Sequence, residues 1–142
     1  MLVLAFALTA ANPMPRTSAR DASADAAVGV VRAYYAALRN HDYRAAYRIW
    51  RGGQSYAHFR RGYAQTIWVR VKPLPPFHAE GAAGSVYADI PVQVDATLRS
   101  GVRQRFSGRY TLRRVNDVDG ATLAQRRWHI VRAHLQPVPA GS

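Results

Sequence analysis

The chain has 142 residues, a length suited to one domain, and a hydrophobic fraction of 49% with three Trp, eight Tyr and four Phe is enough to build a core. It contains no cysteine, which excludes disulfides, thiolate catalysis and Cys-based zinc or iron–sulfur centres. Twenty basic residues stand against eight acidic ones, a formal net charge of +12 carried almost wholly by arginine, since Lys72 is the only lysine. An arginine bias of this kind is typical of GC-rich bacterial genomes; it also creates a field that gathers anions. No nucleic-acid-binding motif accompanies it, so no specific nucleic-acid partner is expected.

In chain order, Leu2 to Ala11 is an apolar run of ten residues. A bilayer span needs about 20, whereas a signal-peptide core has this length. Small residues at Thr9 and Ala11 suit cleavage before Asn12, although no basic residue precedes the run. The expectation is a periplasmic or secreted bacterial protein in which residues 1–22 are signal and flexible tether, 23–137 the domain and 138–142 a disordered tail. Membrane contact is expected only through an uncleaved N-terminal segment.

From Ser23 the pattern is helical. Val28, Val31, Tyr35 and Leu38 form one apolar stripe and Val30, Tyr34 and Ala37 a second beside it, with Arg32 and Arg39 opposite. Asn40-His41-Asp42 breaks the helix, and Asp42 is placed to cap a second one from Tyr43 to about Trp50. Gly52-Gly53 stops it, and Ser55 can cap a short third helix carrying Phe59 and Tyr63.

The period then becomes two. Ile67 to Val71 reads as a strand closed by Pro73, Pro75 and Pro76; Val86 to Leu98 as a long half-buried strand; Val102 to Arg113 as its partner; and Trp128 to Arg132 as the last. Pro91 cannot donate to a ladder, which predicts an edge or a bulge. A three-residue loop Arg99-Ser100-Gly101 pairs Leu98 with Val102 and sets Ala96 opposite Gln104, Val94 opposite Phe106 and Asp95 opposite Arg105. A two-residue loop would mix apolar with polar faces. Arg103, Arg105, Arg109 and Arg113 then form a basic ladder on the outer face.

Val30-Val31-Arg32-Ala33-Tyr34-Tyr35-Ala36-Ala37-Leu38, then Asp42-Tyr43 and Ala46-Tyr47-Ile49-Trp50, resemble the opening of nuclear-transport-factor-2-like domains, also called the cystatin-like cone fold. Arg127-Trp128-His129-Ile130 resembles their closing strand. Phe59, Gly62-Tyr63, Thr66 and the Gly81-Ala82-Ala83-Gly84-Ser85 stretch are similar to an uncharacterised exported bacterial subgroup. The resemblance implies an α+β fold whose N-terminal helices pack in a strongly curved antiparallel sheet around a cone-shaped cavity; many relatives pair sheet to sheet, so a homodimer through the sheet is expected. It spans enzymes (ketosteroid isomerases, cyclases, dehydratases) and noncatalytic binders alike, so fold does not choose between them.

The residues favour binding. Tyr34 matches the tyrosine that donates to the oxyanion in the isomerases, but Arg51 to Tyr56, where their base falls, holds no carboxylate, so proton abstraction lacks an acceptor. The five histidines are scattered; His129 and His134, five apart on one strand, are expected to face opposite ways. No ligand spacing for a metal is present. The expectation is a noncatalytic, cofactor-free exported domain that binds a small apolar molecule or a protein partner through its cavity or sheet face, with Tyr34, Trp50, His58, Phe59, Tyr63, Trp68, Tyr87 and Tyr110 lining the cavity. Two alternatives are a small isomerase, cyclase or dehydratase with an unrecognised acid–base pair, and a protein that binds anions through its basic ladder.

Overall fold

The computed structural model describes residues 23–116 and 119–139. The expected signal segment and tether, residues 1–22, and residues 140–142 of the expected tail (138–142) lie outside them; Val138 of that tail donates from its N to Arg105 O at 2.8 Å.

Three helices come first: α1 (Ala24–Arg39), α2 (Tyr43–Ile49) and α3 (Tyr56–Gly62). Each starts where a short polar side chain satisfies a free backbone donor of the first turn. Ser23 Oγ accepts from Ala26 N at 3.1 Å, Asp42 Oδ1 from Ala45 N at 3.1 Å and Ser55 Oγ from His58 N at 3.1 Å. On α1, Val28, Val31, Tyr34, Tyr35 and Leu38 are buried while Arg32 and Arg39 are exposed, as the double stripe requires. His41 takes a left-handed φ of 58° in the break between α1 and α2.

Five strands follow: β1 (Thr66–Pro73), β2 (His78–Ala82), β3 (Ser85–Leu98), β4 (Arg103–Val115) and β5 (His129–Pro137). They form one antiparallel sheet in the order β1-β3-β4-β5, with β2 beside the other half of β3. The expected hairpin register holds throughout: Ala96 faces Gln104, Val94 faces Phe106 and Asp95 faces Arg105. Leu98 N donates to Val102 O at 2.9 Å, and Gly101, at φ 89°, makes the turn. The inner face of the sheet (Val69, Ala88, Ile90, Val92, Val94, Ala96, Leu112, Ile130) closes over α1.

Four details differ from the sequence reading. Pro91 is on neither an edge nor a bulge: β3 is the central strand, and Pro91 faces Arg109 in the unbroken β3–β4 ladder. Its other side meets the gap where β3 changes partner from Pro73 of β1 to His78 of β2. There Leu74 N donates to Pro91 O at 2.8 Å, so the proline's missing donor falls where no strand would accept it. The glycine-rich stretch is a second hairpin, with β2 returning through Ala83-Gly84 into β3. β5 runs to Pro137 rather than ending near Arg132.

The fourth concerns His129 and His134. A bulge opposite Thr111 and Leu112 inserts Val131, so His129 pairs with Arg113 and His134 with Arg109. Both histidines therefore share the outer face, because one extra residue restores parity across five positions. Opposite Leu135, Gly108 is required by close approach: a Cβ there would drive into the β5 backbone at His134 O.

Candidate functional site

The interior of the curved sheet brings together Tyr34 and Tyr35 of α1, Phe59 and Tyr63 at α3, and Tyr110 of β4. Tyr34 contacts Tyr35, Tyr110 and Phe59 edge to face at centroid separations of 5.4, 6.2 and 6.3 Å. Phe59 lies 5.3 Å from Tyr63 and 5.4 Å from Tyr47. Offset and edge-to-face geometry suits the ring quadrupoles, so the cluster adds specific attraction to its apolar burial. The hydroxyls satisfy one another. Tyr34 and Tyr63 share a hydrogen bond of 2.8 Å, and Tyr35 and Tyr110 share a second, fully buried one.

These hydroxyls are poor acids and no bases. Burial first, then the neighbouring Tyr63 and Tyr110, pushes the Tyr34 hydroxyl far above the usual phenol range. Burial and Tyr110 do the same to Tyr35. Burial also raises Tyr110 and Tyr63, against a smaller pull downward from their hydrogen bonds. Apart from these tyrosines, the buried polar side chains among the described residues are Ser85 and Arg114, and neither is an acid or a base for work near neutral pH. No group of three or more His, Cys, Asp or Glu among the described residues could hold a metal ion.

Of the eight residues expected around the cavity, four meet in this cluster: Tyr34, Phe59, Tyr63 and Tyr110. Trp50 packs, half-buried, where α2 ends against Ile130 and over Gly52, with its Nε1 buried and unpartnered. His58 is exposed on α3. Trp68 and Tyr87 lie on the outer face of the sheet, 44% and 38% exposed. A bulge between Thr66 and Trp68 sets Trp68 opposite the outward Thr97, and Tyr87 faces Arg113. A small hollow of about 10 Å³ lies at the edge of the cluster, between Leu38, Tyr43 and Tyr63 on one side and Thr66 to Val69 of β1 on the other; of the clustered tyrosines it touches Tyr63 alone.

Larger hollows lie outside the cluster. A half-open groove of about 820 Å³ sits at the β3–β4 hairpin end, lined by Trp68, Asp95, Arg103, Arg105, Phe106 and the chain from Pro137 to Pro139. A second, of about 500 Å³, lies between α1, α2 and the approach to β5, with Val30 and Ile49 as floor and Arg48, Arg127 and His129 at its rim. Arg51 approaches His129 Nε2 at 3.3 Å; burial, then the Arg51 charge, holds this imidazole below its ordinary pKa.

The outer face is basic. Paired residues of an antiparallel ladder share a face, so the register places Arg70, Lys72, Arg103, Arg105, Arg109, Arg113 and Arg132 together, with Glu80, Asp89 and Asp95 as its carboxylates. Asp95 binds Arg105 at 2.8 Å and Asp89 accepts from Thr111 at 2.7 Å. Arg114, one residue beyond the ladder, turns inward instead; it is buried and donates to Arg126 O at 2.6 Å, tying the 119–128 loop to the sheet. Its inward parity was readable from the alternation, but an arginine at an inner position gave no reason to expect burial.

No protein-family model matches the sequence, and no curated protein matches it either. Solved structures do resemble it. A nuclear transport factor 2 (NTF2-like) superfamily protein from Salmonella enterica serovar Typhimurium aligns over 90% of this chain and 96% of its own at a TM-score of 0.59 with 11% identity. A protein from Novosphingobium aromaticivorans, provisionally described as an aromatic ring hydroxylase, covers 90% and 96% at 0.55 with 16% identity. One from Streptomyces avermitilis, provisionally described as a dehydratase of the NTF2-like family, covers 89% and 99% at 0.54 with 14% identity. The chain therefore has the NTF2-like cone fold, a mixed α+β architecture shared by ligand-binding and enzymatic proteins.

Proposed function

We propose that this chain is a noncatalytic binding domain that works through the outer surface of its sheet rather than through its interior. The observation that carries this reading is the filled cone: the tyrosine hydroxyls at its centre are engaged with one another, and no carboxylate or imidazole among the described residues is buried beside them. An isomerase or dehydratase needs a proton acceptor near its substrate, and none of the described residues buried beside the tyrosines supplies one. The hollows of ligand size, some hundreds of Å³, lie outside the tyrosine cluster. Export to the periplasm or medium, expected from Leu2 to Ala11, belongs to the same proposal.

The test is a thermal-shift screen of steroids, aromatic acids and fatty acids, run on the wild type and on Tyr34→Phe. No compound is expected to raise the melting temperature through the interior. A compound that stabilises the wild type but not Tyr34→Phe, or turnover of a ketosteroid lost in that variant, would overturn the reading.

A further inference from the structure

One end of the sheet combines two properties rarely left in the open together. Ile67, Trp68 and Val102 are 45%, 44% and 54% exposed, and all three lie where β1 begins and β3 turns into β4. The cause is local. The bulge between Thr66 and Trp68 removes Ile67 from the ladder and sets Trp68 beside Thr97 and Arg103 on the outer face, while Val102 closes the turn. Around these side chains stand Arg70, Arg99, Arg103 and Arg105. Asp95, the carboxylate between Arg70 and Arg105, is held by Arg105. Among the described residues no carboxylate pairs with Arg70, Arg99 or Arg103.

We propose that this end docks on an anionic lipid bilayer, with Trp68 and Ile67 entering the headgroup region and Arg70, Arg99 and Arg103 meeting lipid phosphates. The proposal rests on the reading of the chain as a surface-binding domain and names what the surface binds. Tryptophan sits at bilayer interfaces because its ring is apolar while its N–H stays wet. Arginine can lay its stem along apolar neighbours and keep its guanidinium at the phosphates, often as a two-point contact. An apolar tip inside a cationic collar is thus the arrangement of an interfacial anchor. A nucleic acid or acidic glycan would use the cations but would gain little from exposed Ile67 and Val102. The adjoining groove has the same mixed character, Arg103 on one wall and Phe106, Pro137 and Pro139 on another, which fits a lipid headgroup with the start of its acyl chains.

The test uses the full chain and vesicles of phosphatidylcholine with and without phosphatidylglycerol, read by flotation and by quenching of tryptophan emission with brominated lipids. Trp128 is buried and Trp50 half-buried, so Trp68 is the reporter, and Trp68→Phe assigns the signal. Binding is expected only with phosphatidylglycerol, weakening with salt. Quenching should disappear in Trp68→Phe, and Arg70→Glu/Arg103→Glu should bind about tenfold more weakly or worse. Both variants should keep the wild-type melting temperature.

Absence of binding would overturn the proposal. So would binding that ignores both variants, which would assign it to residues 2–11, or quenching that persists in Trp68→Phe. Retention on heparin or a single-stranded oligonucleotide that exceeds vesicle affinity would identify a polyanion in solution instead. None of these outcomes touches the filled interior, whose reading stands or falls on the thermal-shift screen.

Discussion

On the inner side of β3 and β4, Ile90, Val92 and Leu112 are fully enclosed and Tyr110 closes a hydrogen bond to Tyr35. One residue along the same strands, on the outer side, Asp89, Pro91, Arg109 and Arg113 face away from that core. The two faces share one backbone and differ only in parity, yet one is satisfied within itself and the other carries excess charge. A side whose tyrosine hydroxyls are engaged with one another has little left to offer a ligand. A side with uncompensated guanidiniums invites an anion, which is why the proposed binding falls on the outer face and stability on the inner one.

That division can be broken by substitution. The largest effect is expected at Gly108, where any side chain drives into the β5 backbone at His134: Gly108→Val should prevent folding, read by loss of the cooperative denaturation transition. Next comes Ile90→Ala, which empties a fully buried site and should cost about 2–5 kcal/mol in the same measurement. Tyr110→Phe strands the Tyr35 hydroxyl in the interior and should cost about 1–3 kcal/mol. If any of these left stability unchanged but abolished vesicle docking, the division of labour would be wrong.

A pH titration sharpens the same contrast. The hydroxyls of Tyr34, Tyr35, Tyr63 and Tyr110 hold their protons above the pKa they have in the unfolded chain. Their contribution is therefore complete below about pH 10 and is lost as pH rises above it, because only the unfolded chain can ionise there. Melting temperature should fall as alkali is added, and tyrosinate absorbance should show fewer than eight titrating groups until the fold is lost. The smallest effect is expected on the outer face: Arg105→Ala breaks the exposed pair with Asp95 and should barely move the melting temperature, since water already screens that bond.

Much of the fold was legible because its signals are local. Capping by Asp42 and Ser55, the two stripes of α1 and the β3–β4 register all depend on residues within a few positions of one another, where side-chain geometry leaves one answer. Site residues were legible only in part. Tyr34, Phe59, Tyr63 and Tyr110 follow from their stripes, whereas Trp68 and the two histidines of β5 were misplaced because a bulge shifts parity without a local signal. β2 is fully exposed and short, so it lacks the apolar alternation that marks a strand.

What the sequence determined by itself, then, was the order of elements, the apolar faces and the arginine ladder, since periodicity and charge are written residue by residue. Only the tertiary structure decided that the tyrosine hydroxyls would pair with one another inside the sheet, that Pro91 would sit harmlessly at the gap between β1 and β2, and that Ile67, Trp68 and Val102 would meet at one exposed end. Those outcomes depend on which strand pairs with which, and on one inserted residue in each of two ladders. Such pairings join residues far apart in the chain, and no local pattern encodes them.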